Sequence, residues 1–176
     1  MRVFKTLAAG AVALAALVTL TGCGDDKEGG SSADAGLPKA STMAELQKFV
    51  VGTGAPCSEL RPSDVDGMID ESKDPAWSIK EREVCDDDLI LLLVDDMAKF
   101  QEATAKAEAK GGFGRDFLIG QNFAIAGTSD EAGQKLMQGG RTRMSCDQED
   151  RDSLPSGFTA KDGLVKPCFT TDYLPD

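Results

Sequence analysis

Histidine is absent from this 176-residue chain, and tryptophan and tyrosine occur once each. The first absence removes Ser-His-Asp and Cys-His nucleophilic catalysis, histidine general bases and histidine-bearing metal sites. Gly-x-Ser-x-Gly, Ser-x-x-Lys and Walker-type lysine loops are missing as well, so the common local signatures of acyl transfer and nucleotide binding do not occur. Few aromatics argue against a sugar cleft built on ring platforms, although plentiful carboxylates leave a two-carboxylate hydrolase open as a reading. Lysine and arginine are outnumbered, 19 against 30 Asp+Glu, for a net charge of −11, and they form no cluster. Binding to a nucleic-acid backbone is therefore not expected. No two cysteines are close enough in sequence for a zinc knuckle, and no cofactor or metal is expected.

What is there begins with the leader. Arg2 and Lys5 precede an uncharged apolar stretch from Leu7 to Leu20, too short for a comfortable transmembrane span, and Leu20-Thr21-Gly22-Cys23 follows. This segment resembles the lipobox of bacterial lipoproteins. The resemblance implies that residues 1–22 are removed and that Cys23 carries a diacylglyceryl thioether, placing the chain on the extracytoplasmic face of the cell membrane. A plain secretory leader that happens to carry a cysteine is the competing reading. Without Arg2 and Lys5 the mature chain is more acidic still, which disfavours docking on anionic headgroups and leaves membrane attachment to the acyl chains.

Residues 24–40 are rich in Gly, Ser and Ala with almost no large apolar side chain, and read with Cys23 as a flexible tether over 23–40. Residues 41–176 suit one domain with one core. Four further cysteines, Cys57, Cys85, Cys146 and Cys168, read as two disulfides in an exported chain. Three pairings are open. Cys57–Cys85 with Cys146–Cys168 is favoured, because each bond closes the shorter loop at its own end of the domain.

Thr42 and Glu45 form a capping box ahead of Met43, Leu46 and Val50. A second short helix is expected near Ser63, with Val65, Met68 and Ile69 on one face. Residues 77–84 alternate as a strand, Asp86-Asp87-Asp88 reads as a turn, and Leu89–Val94 is the central strand, apolar on both faces. Asp95 or Asp96 caps a helix to about Lys110, closed by Gly111-Gly112. A similar unit follows: a strand from Phe117 to Ala126 with a break at Gly120, a capping box from Thr128, a helix through Ala132 and Leu136, and Gly139-Gly140. Arg141 to Cys146 reads as a last strand, with Arg141 and Arg143 on an exposed face or edge. From Asp147 onward there is no clear period. The fold class expected is α+β, a mostly antiparallel sheet with helices packed on one face, and a ferredoxin-like arrangement is the nearest scheme.

Asp64-x-Asp66-Gly67 and Asp86-Asp87-Asp88 fit no twelve-residue calcium loop and read as solvated turns. Trp77, Phe113, Phe117 and Phe123 read as core or rim packing. In residues 77–85, 91–100 and 120–124 the chain is similar to small actinobacterial lipoproteins of uncharacterised function, and Pro56-Cys57-Ser58-Glu59-Leu60 resembles the opening of a second such family. Neither resemblance supplies a catalytic residue. The expectation is a non-enzymatic binding or scaffold domain with an envelope protein as partner. A small-molecule-binding module and a carboxylate-dependent hydrolase are the alternatives.

Overall fold

The computed structural model describes residues 36–62, 73–86, 89–111, 117–127 and 130–175. Cys23, the leader, most of the tether, the expected helix near Ser63, Phe113 and Asp87-Asp88 lie outside the described residues.

Leu89–Val94 (β3) organises the rest. All six side chains are buried, and because successive residues of a strand point to opposite faces they feed two cores. Leu89, Leu91 and Leu93 enter one core with helices Met43–Gly52 (α1) and Asp130–Gln138 (α3). Ile90, Leu92 and Val94 enter the other with helix Met97–Glu108 (α2) and Trp77. Thr42 caps α1 by accepting from the Glu45 N–H at 3.2 Å, and Asp96 caps α2 through the Lys99 N–H at 3.1 Å.

Leu60–Pro62 (β1), Ile79–Cys85 (β2), Phe117–Ile119 (β4), Phe123–Gly127 (β5), Thr142–Ser145 (β6), Ala160–Asp162 (β7) and Phe169–Thr171 (β8) complete an eight-stranded sheet. Its order is β1-β2-β3-β5-β4-β6-β8-β7, antiparallel at every pairing. The expected α+β class with an antiparallel sheet is what forms. The break at Gly120 is a hairpin turn that divides the expected strand into β4 and β5.

Helices on one face is corrected to helices on both. The crossover through α2 steps from β3 past β5 to β4, and that through α3 steps the same way, from β5 past β4 to β6. Since β3 and β5 run antiparallel, right-handed crossovers in one direction put α2 and α3 on opposite faces. In a ferredoxin-like sheet the second crossover steps back to flank the first strand, and both helices share a face. Here β6 lies at the other side, next to β4.

The edge reading of residues 141–146 is also corrected. β8 covers the outer side of β6, so this strand is interior. Arg143 is 3% exposed and pairs with Asp150 of the short helix Gln148–Asp152 (α4), whose carboxylate also accepts from the Ser145 hydroxyl at 2.9 Å. Arg141 does share that face, and its guanidinium lies 3.5 Å from the centroid of the Phe49 ring. Burial lowers its pKa below the ordinary arginine value.

Candidate functional site

The four paired cysteines join as Cys57–Cys85 and Cys146–Cys168. Beside the first bond, Asp86 adopts a left-handed backbone (φ 51°) and turns its carboxylate onto the Ser58 and Glu59 N–H groups at 2.6 and 2.9 Å. Those two backbone donors are the main reason its pKa falls below the usual carboxylate range. Its oxygens are thus occupied in holding residues 57–59 to β2. Among the described residues no group of three acids or cysteines is placed to hold a metal ion.

The N-terminal boundary shifts upstream. Residues 37–40, read as tether, form a strap gripped by the β4–β5 turn. Gln121 donates its side-chain N–H to the Leu37 carbonyl at 2.7 Å and its backbone N–H to the Pro38 carbonyl at 2.8 Å. Asn122 accepts from the Ala40 N–H at 3.0 Å and donates to the Ala40 carbonyl at 2.7 Å. Gly120 permits this approach, because a Cβ there would overlap the Pro38 carbonyl and the Phe123 ring.

Two open clefts lined by described residues bear on function. One, about 410 Å³, runs between the turn Pro75–Trp77 and the last turns of α2, with Asp74, Trp77, Lys106 and Lys110 in its walls. Trp77 itself is core packing, 7% exposed and edge-on to Phe100 at 5.6 Å, and Phe100 meets Phe117 in the same way at 5.0 Å. The other cleft, about 450 Å³, separates the second half of α3 from the chain around Phe158 and Tyr173. Each cleft carries a single carboxylate, Asp74 or Asp172, so neither holds the acid pair that two-carboxylate hydrolysis requires.

The second cleft opens at the strap end of the sheet. Ile119 pairs with Thr142, Arg143 with Thr171 and Thr171 with Ala160. The start of β6, the end of β8 and the start of β7 therefore lie at the same end as the β4–β5 turn. Phe158 precedes β7 and Tyr173 follows β8, and their rings meet at 4.8 Å. Phe158 remains 45% exposed, whereas Leu174 packs against α3 where Gly133 leaves room for it. The sequence offered one signal for this cleft: the only tyrosine and a phenylalanine, each in a turn-rich stretch where no helix or strand needs a large apolar residue.

Among the described residues no helix is long and apolar enough to cross a membrane. Comparison with models of protein families, with curated proteins and with solved structures gives no match to this chain.

Proposed function

We propose that this chain is a lipid-anchored extracytoplasmic domain, held at the membrane by Cys23, that binds a component of the cell envelope rather than catalysing a reaction. The proposal includes kinship with the small actinobacterial lipoproteins that residues 77–85, 91–100 and 120–124 resemble. The observation that carries it is the exposed Phe158–Tyr173 cleft at the end of the sheet where the chain leaves the domain toward Cys23. A half-exposed phenylalanine that packs on a tyrosine in the wall of a cleft offers an apolar contact surface, which supports a binding role. Two disulfides are compatible with an oxidising, extracytoplasmic compartment. Residues 24–36, when extended, span roughly 45 Å at most, so an anchored domain keeps this cleft within reach of the membrane surface.

Photo-cross-linking in intact cells tests the reading. With p-benzoylphenylalanine replacing Phe158, one dominant adduct with an envelope component is expected. The same group replacing Glu102, exposed on α2 at the opposite face, should give none. Equal labelling from both positions, or none from Phe158, would contradict a binding role for the cleft.

A further inference from the structure

Resting on the reading of this domain as a binding module, we propose that the cleft between α3 and the C-terminal segment is a site for a neutral carbohydrate. The walls supply the groups such a ligand uses. The Phe158 and Tyr173 rings form a corner with planes 55° apart and centroids 4.8 Å apart. An exposed ring face can stack on the apolar C–H face of a sugar ring. Gln134 and Gln138 lie four residues apart on α3, so both exposed carboxamides project on one side of the helix. Each offers two donors and an acceptor, which suits hydroxyl groups that do both. Asp172 accepts the Thr159 N–H at 2.7 Å through Oδ1, and a carboxylate has further lone pairs for a ligand hydroxyl.

Charge narrows the ligand class. No lysine or arginine lines the cleft, so a phosphate or carboxylate ligand would meet Asp172 without a counter-charge. The volume, about 450 Å³, falls in the range of small-molecule sites and is open enough for a chain of sugars to pass through. The scarcity of aromatics in the whole chain does not count against this, because the one tyrosine and the most exposed phenylalanine among the described residues are both here.

The test uses the mature chain with its anchor, ¹⁵N-labelled and purified in a sugar-free detergent. Neutral galactan, arabinan, mannan and N-acetylglucosamine oligomers are titrated to roughly 10 mM, with choline chloride as a cationic control. At least one oligosaccharide should shift the side-chain NH₂ resonances of Gln134 and Gln138 saturably. Phe158→Ala, at an exposed position, should weaken that binding about tenfold and leave the resonances of β3 and β5 in place. Gln138→Ala should weaken it too. No shift from any oligomer, shifts that survive both substitutions, or a response to choline alone would overturn the proposal. A protein adduct from Phe158 in cells with no oligosaccharide binding would overturn the carbohydrate and leave the binding module standing. Absence of both would remove both.

Discussion

The two faces of the sheet are covered by different means. On one, α1 and α3 lay apolar side chains over Leu89, Leu91, Leu93 and Ile125. On the other a single helix, α2, has too little width for the strands beneath it. The cover there is completed by Trp77 and by the C-terminal segment through Leu164, Val165 and Cys168. Polar groups of α2 hold down that segment and Cys146, its disulfide partner at the end of β6. Gln101, 1% exposed, accepts the Leu164 and Val165 N–H groups at 2.8 and 3.2 Å, and Glu108 accepts the Cys146 N–H at 3.1 Å. One face therefore rests mainly on helix packing, with the Cys57–Cys85 bond and Ala40 of the strap completing its core. The other rests on a tail that must be pinned, by buried hydrogen bonds and by the Cys146–Cys168 bond.

Truncation of the central strand should have the largest effect and should not distinguish the faces. Leu91 and Leu92 are both 0% exposed, one in each core. Leu91→Ala and Leu92→Ala should each cost about 2–5 kcal/mol in denaturant melts, through lost transfer energy and the cavity left behind. A near-neutral result for either would mean that its face is not filled.

Gln101→Ala should come next and should separate the faces. It strips the acceptor from two backbone donors, at a cost of about 1–3 kcal/mol. Amide hydrogen exchange should speed up at Leu164 and Val165 while residues of α1 keep their protection. Uniform loss of protection would show that the tail is not a separately pinned element.

Asp86→Asn should have the smallest effect, and one that depends on pH. A carboxyl pKa depressed in the folded state stabilises above the unfolded carboxylate range and loses that contribution as pH falls through the folded value. The wild-type chain should therefore exceed the Asn variant in stability at neutral pH, and the gap should narrow as the pH falls below the ordinary carboxylate range and through the lower folded value. Asparagine tolerates the left-handed backbone that Asp86 adopts, so conformational strain does not confuse the comparison. A gap that persists in acid would assign the effect to something other than the carboxylate.

The elements with a complete local pattern were legible in the sequence. Leu89–Val94 announced itself by six apolar residues between acids, and α1 and α2 by their caps and terminal glycines. That same apolar run already demanded cover on both faces; what the sequence did not disclose was which side of the sheet β6 would join. The three-residue strands β7 and β8 are too short to display a period, so the tail showed none. Arg143 read as exposed because its partner Asp150 sits in α4, within the stretch that shows no clear period in the sequence. The strap was missed because its hydrogen bonds join residues more than eighty apart in the chain. The candidate cleft left only the signal of Phe158 and Tyr173 in a turn-rich stretch, since helix α3 and the segment at Tyr173 meet only after folding.

The central claim is that this domain works from a lipid anchor, and the mature N-terminus tests it most directly. Mass spectrometry of the chain recovered from the cell envelope should find a terminus at Cys23 bearing a diacylglyceryl group, with Cys23→Ala lost from the detergent phase. A chain whose Cys23 thiol is unmodified, or a Cys23→Ala variant that partitions with the membrane as the parent does, would contradict it.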